Sequence, residues 1–178
     1  MYTVKALDAS HFMVAGGGGA AKTGVVNAIE VYEIKETDGK LLGSSICRHD
    51  TGTKAVMNGS CYYDGRKHMI AAGLDENCYI YSMKYKVISP KKNADKKEDT
   101  VRKRKSDEVS DDNDTKHITF EVEEIDNIVT DFNKDGSFQK TVEFSLDQTF
   151  LATGGADGFL RVWKYPELKK MYEVHAHK

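Results

Sequence analysis

The chain has 178 residues, 39% hydrophobic and 30% charged, with a formal net charge of −2. This length suits one domain or part of a larger one, and a slightly acidic balance argues against a generic nucleic-acid-binding surface. Cys47, Cys61 and Cys78 are odd in number and lack paired spacing. They read as free thiols in a reducing compartment, not as a disulfide framework or a zinc site. The first residues carry no apolar signal core, and no apolar run approaches the length of a membrane span.

Residues 2–7 alternate in polarity, and Asp8-Ala9-Ser10 supplies a turn before a strand at Phe12–Ala15. A glycine-rich segment, Gly16 to Asn27, then leads to a return strand at Ala28–Tyr32. Four consecutive glycines admit backbone conformations closed to other residues and bring bare N–H and C=O groups within reach of a partner. Gly16-x4-Ala21-Lys22-Thr23 is one residue short of a phosphate-cradling P-loop, since Ala21 stands where that motif has glycine. A P-loop also opens a helix, whereas Val25, Val26, Ile29 and Val31 are β-branched and read as strand. A P-loop NTPase is therefore the minor alternative.

Asp38-Gly39 is a hairpin signal leading into a strand at Leu41–Cys47. A second group takes Lys54–Met57 with Cys61–Tyr63, a turn at Asp64-Gly65, His68–Ala72 and Cys78–Met83. Its fourth strand resumes at Thr119–Val122, after an insertion. A third group has Lys140–Phe144, a turn at Asp147-Gln148, the paired strands within Leu151–Trp163, and Lys170–Val174.

A pattern of apolar-Ala-x-Gly, a turn, then x-apolar-x-aromatic occurs three times and ends at Tyr32, Tyr81 and Trp163. The first interval is 49 residues; the second, 82, contains a charged insert of about thirty. Without the insert both approach the ~40–45 residues of a WD-type propeller blade. The fold class is accordingly all-β: about three four-stranded blades, assigned to residues 1–52, to 53–88 with the outer strand that follows the insert, and to the rest of 118–178. Asp157 and Trp163 are read as structural members of the third repeat, with Lys164 where the WD dipeptide has aspartate. His175 and His177 lie two apart but lack the thiol or carboxylate company of a metal site; His177 is read as leading into a further blade. The insert, residues 89–117, has a basic half followed by an acidic half and almost no large apolar side chains. It reads as a solvated, disordered loop, and its Lys91–Lys97 and Arg102–Lys105 clusters also fit a bipartite nuclear import signal.

Four stretches point beyond a generic propeller: V-A-G-G-G-G-A-A-K-T-G at Val14–Gly24, H-D-T at His49–Thr51, A-V-M-N at Ala55–Asn58, and L-A-T-G-G-A-D-G-F-L-R-V-W-K at Leu151–Lys164. Together they resemble the prolactin regulatory element-binding protein family, WD-repeat guanine nucleotide exchange factors that begin coat-protein-II vesicle formation at the endoplasmic reticulum. The glycine loop is the most specific part: twelve residue steps separate Gly17 from Ile29, against five from Gly155 to Leu160.

The resemblance implies a seven-bladed ring on the cytosolic face of the endoplasmic reticulum, held there by a C-terminal membrane helix. This chain, with three blades and no such helix, is then expected to be a fragment or truncated form. The resemblance also implies that the loop contacts a small GTPase of the coat-protein-II system and promotes GDP release. Carried onto this chain, the loop residues are Gly16, Gly17, Gly18, Gly19, Lys22, Thr23, Gly24 and Asn27, with the Asn27 amide as the projecting contact. His49, Asp50 and Thr51 form a supporting motif. No cofactor is expected, save a monovalent cation on the loop's backbone carbonyls, and no side chains are assigned to a metal. Nucleic acid is not an expected partner, despite the DNA-binding claim in the family name. No nucleophile–base pair or paired carboxylates suggest covalent chemistry, so the expected activity is exchange without bond making. A WD-repeat scaffold lacking exchange activity is the second reading.

Overall fold

The computed structural model describes residues 1–21, 24–88 and 117–177, the side chain of residue 117 excepted, and its described elements are all strands. Strands β1 (Thr3–Ala6), β2 (His11–Gly16), β3 (Ala28–Thr37) and β4 (Lys40–Asp50) form an antiparallel meander. So do β5 (Asn58–Tyr63), β6 (His68–Leu74), β7 (Asn77–Ile88) and β8 (His117–Val129). The third sheet contains β9 (Gln139–Phe144), β10 (Phe150–Gly155), β11 (Phe159–Lys164) and β12 (Lys169–His175). Three consecutive four-stranded blades are the architecture of a partial WD-repeat propeller.

The strands form where β-branched and aromatic residues alternate between turn residues suited to hairpins. Asp38 and Gly39 both take positive φ, 52° and 71°, which turns β3 tightly into β4. Asp75 does the same at the β6–β7 turn, with φ 54°. The insert leaves the ladder between Ile88 and His117, the last pair of β7 and β8. Its reading as a disordered loop, and that of its basic clusters as an import signal, lie outside the described residues apart from His117.

Two expectations about strand bounds are corrected. Lys54–Met57 belongs to no strand; it is the connection into β5, and Ala55 and Val56 turn their side chains into the core. The outer strand of the second blade runs from His117 to Val129, far beyond Thr119–Val122, because alternation there is masked by glutamates that face solvent on an edge strand.

The core lies between blades. Met13, Ile29 and Val31 of the first sheet meet Ile70, Ala72, Leu74, Tyr81, Met83 and Phe120 of the second. On the other side, Met69, Ala71, Cys78 and Ile80 meet Val142, Phe144, Leu151 and Trp163 of the third. Successive residues of β6 thus serve opposite interfaces, and every residue of that strand is buried. This explains the uninterrupted apolar run at Met69–Ala72, since a strand covered on both faces loses the polar half of its alternation.

Polar bonds cross the seams as well. Asn58 bonds Gln139 twice: its Nδ2 donates to the Gln139 backbone carbonyl at 2.8 Å, and its Oδ1 accepts from Gln139 Nε2 at 2.9 Å. Thr130 donates to Gln139 Oε1 at 2.7 Å, so this fully buried amide is satisfied on both sides. Between the first two blades, Asp8 accepts hydrogen bonds from Ser10, His11 and Tyr85, the last at 2.8 Å.

Candidate functional site

The glycine loop leaves β2 at Gly16 and re-enters the sheet at Ala28, where those two residues pair. Asn27 sits at its base, 5% exposed. Asn27 Oδ1 accepts the Gly19 N–H at 2.9 Å, and Nδ2 donates to the carbonyls of Gly19 at 3.1 Å and Gly52 at 2.9 Å. The side chain therefore ties the ascending limb of the loop to the connection that follows β4. The expected projecting contact is corrected: the amide points inward, because it mimics a backbone group and closes a ladder the loop has interrupted.

Two glycines are required by this clamp. Gly17 takes φ 151°, and a Cβ there would lie 1.9 Å from Asn27 Oδ1. Gly19 takes φ 66°, a left-handed conformation that glycine adopts without steric cost. Gly16 is buried against the N-terminal Met1, whereas Gly18 is half-buried and Gly24 is exposed with φ 78°. Lys22 and Thr23 lie outside the described residues. The described part of the loop surface is Ala20, Ala21, Gly24, Val25 and Val26, all exposed, with Val25 at 59% and Val26 at 49%. A depression of about 250 Å³ beneath them is lined in part by Val14, Gly17, Ala28 and Tyr32.

His49, Asp50 and Thr51 are brought to the same place. His49 pairs with Ile29 and Asp50 with Ala28, so the motif continues the sheet directly beneath the loop. Asp50 Oδ1 accepts the Gly52 N–H at 2.7 Å, Thr51 Oγ1 donates to the Lys54 carbonyl at 2.7 Å, and Thr51 N–H donates to the Asn27 carbonyl at 3.0 Å. This turn aims the Gly52 carbonyl at Asn27. The His49 ring packs edge-on against Tyr81, with centroids 5.4 Å apart, and so braces the motif on the second blade. Gly52 was missed in the sequence; its signal is the Asp-x-Gly turn pattern, with φ 69° at the glycine.

His175 and His177 stand apart from this site. They line a cavity of about 560 Å³ on the third sheet, and the His177 N–H donates to the Gly158 carbonyl at 3.1 Å. The described residues contain no group of three or more histidine, cysteine or acidic side chains able to hold a metal. The converging groups at the loop base are uncharged oxygens and one amide, which suits hydrogen bonding and weak, hard-cation contacts but no acid–base chemistry.

Beside Gly154–Gly158, Arg161 donates to Asp157 Oδ2 at 2.6 Å and to Glu173 at 2.6 Å, and is 3% exposed. Burial pushes the Asp157 carboxyl up, but the hydrogen bonds from Arg161 and the Phe159 and Phe132 amides prevail and hold it at about 2. Trp163 Nε1 donates to Thr153 Oγ1 at 2.9 Å. Both residues thus have internal partners in the third blade.

No protein-family profile matches the chain. Among characterised proteins, it is 35% identical over 172 residues to the rat guanine nucleotide-exchange factor SEC12, and equally so to the mouse protein. Each match covers 93% of this chain and 40% of the relative, so the chain spans about two fifths of their length. The mammalian SEC12 homologue is the prolactin regulatory element-binding protein. A three-blade propeller segment carrying the extended first-blade loop is thus similar, along nearly its whole length, to the guanine nucleotide-exchange factor SEC12 of rat and mouse.

Proposed function

We propose that this chain carries the exchange surface of a guanine nucleotide-exchange factor, and that the Gly16–Asn27 loop is the part that engages a small GTPase of the coat-protein-II system. The observation that supports the reading is the loop itself: a long excursion with an exposed small-residue surface, rigidly footed by Asn27, Gly52 and the His49–Thr51 turn. A footed loop presents its contacts with less ordering entropy to lose on binding than a free one. The relatives' similarity supports the same reading, and the place of action is then the cytosolic face of the endoplasmic reticulum.

Exchange needs no bond making. A factor that binds the nucleotide-free GTPase more tightly than the GDP-bound form weakens GDP binding by the same ratio, by linkage. Gly18, Gly24, Val25 and Val26, with Lys22 and Thr23, would displace segments that contact the nucleotide. Asn27 acts by positioning them. A monovalent cation on the loop's backbone carbonyls is part of this reading; the Gly19 and Gly52 carbonyls already accept from the Asn27 amide, so an ion would have to take their second lone pairs, away from that NH2 group. Such an ion would supply positive charge that stiffens the loop. The described residues contain no helix long and apolar enough to cross a membrane.

The test is the release rate of fluorescent GDP from the purified coat-protein-II GTPase, with and without this chain. Acceleration that is lost in Gly17→Val supports the reading. Stable binding with no acceleration would instead favour a scaffold.

A further inference from the structure

All three outer strands carry the same irregularity. Opposite β3, β7 and β11 the register skips one residue, leaving Ile46, Ile125 and Met171 without a cross-strand partner. A bulge of this kind turns the extra side chain out of the ladder. In the first blade, Ile46 packs against the core shared with the second, and its carbonyl accepts a hydrogen bond from Thr119 of β8. At the next seam the equivalent closure is missing. Ile125 remains 51% exposed, and no hydrogen bond joins β8 to β12 among the described residues.

The result is a groove of about 490 Å³ between the second and third blades. Its apolar walls include Ile125 and the rings of Tyr62 and Tyr165, with centroids 6.2 Å apart in an edge-on arrangement. Three carboxylates, Asp64, Asp126 and Asp147, line it against one cation, Lys67. None of these carboxylates forms an ion pair among the described residues, and all three residues are exposed. Backbone and hydroxyl hydrogen bonds hold Asp64 and Asp147 below the usual carboxylate range, so both are ionised at neutral pH.

We infer that this seam is a docking groove for an extended peptide segment of a partner protein, one that presents an apolar side chain beside an arginine. The apolar side chain covers Ile125, which the third blade leaves exposed, and the free edges of the half-buried tyrosine rings. The guanidinium answers the surplus of negative charge, where two aromatic faces also favour Arg over Lys. The groove is built wholly from the second and third blades and is separate from the glycine loop, so it does not depend on the exchange reading.

The test uses this chain and three short synthetic peptides: one with a Leu-Arg-Leu-Arg centre, one with glutamate for both arginines, and one with alanine for both leucines. Titration calorimetry should show binding of the first alone, weakened by added salt. Ile125→Ser and Asp126→Lys should each weaken it by about tenfold or more at an unchanged melting temperature; should either variant unfold, Asp126→Asn serves instead, with a smaller loss in the same direction. Equal binding of the glutamate peptide, no binding of the arginine peptide at millimolar concentration, or binding indifferent to these substitutions would overturn the proposal. So would a dimer in sedimentation that Ile125→Ser dissolves, since a second copy would then be the occupant.

Discussion

Asn27 makes three hydrogen bonds with its side chain alone, and removing them leaves the Gly19 N–H and two carbonyls without that partner. Asn27→Ala should therefore lower stability by about 1–3 kcal/mol, read by thermal or denaturant unfolding. Under the exchange proposal it should also slow assisted GDP release tenfold or more, because loss of footing of ~1.4 kcal/mol already corresponds to that factor. Gly17→Ala should reproduce part of both effects, since its methyl group would displace the same amide oxygen. A variant that keeps full stability would show that the clamp is dispensable. Cysteine chemistry belongs to this scale too. Burial pushes the Cys78 thiol up to about 12, and the residue is fully enclosed between the second and third blades. It should resist a thiol reagent at pH 8 in the folded protein and react only on unfolding, whereas half-exposed Cys47 and Cys61 should react earlier.

At the scale of elements, the Asp157–Arg161–Glu173 cluster joins the β10–β11 turn to β11 and β12. Asp157 has its carboxyl at about 2 in the folded state against 3.8 for the free side chain. A lowered value means that the unfolded chain takes up the proton first. The associated stability, about 2 kcal/mol, is complete above roughly pH 4–5, falls as the pH drops through 3.8, and is gone below about 2. Asp8 behaves alike: burial raises its carboxyl, but hydrogen bonds from Ser10, Tyr85 and His11 hold it far lower. Acid unfolding followed by circular dichroism should lose part of its steepness in Asp157→Asn. An acid transition unmoved by that change would mean that other carboxylates dominate. The β7–β8 hairpin provides a second check. Its ladder runs unbroken to Ile88 and His117 apart from one bulge, so replacing residues 91–114 with a short Gly/Ser linker should leave the melting temperature within about 2 °C.

Across the molecule, stability rests on the seams, because both apolar clusters among the described residues are shared between neighbouring blades. The buried Gln139 amide joins the second and third blades through Asn58 and receives the Thr130 hydroxyl. Gln139→Leu would leave Thr130 and Asn58 facing an apolar side chain, at a cost of about 2–4 kcal/mol. Unfolding should nonetheless stay a single transition if the blades depend on one another. Separate unfolding of the first blade, seen by hydrogen exchange at β2 and β3, would argue that the seams are independent.

Local residue chemistry was sufficient to determine the blades and most of their turns. Period-two alternation, Asp38-Gly39, and three repeats ending in an aromatic residue all act over a few residues, so they can be read in one dimension. The length of the glycine loop, and its contrast with the Gly155–Leu160 turn, was legible for the same reason. What Asn27 does was not. An asparagine before a strand looks the same whether its amide faces a partner or the loop's own backbone, and the choice depends on Gly52, twenty-five residues away in sequence. Lys54–Met57 was mistaken for a strand because apolar residues in a connection bury themselves just as strand residues do. The groove at the second seam was equally invisible, for Ile46 and Ile125 occupy matching places in similar strands. Only the packing of neighbouring blades covers one and leaves the other open, because burial is a property of what lies opposite a side chain and not of the side chain itself.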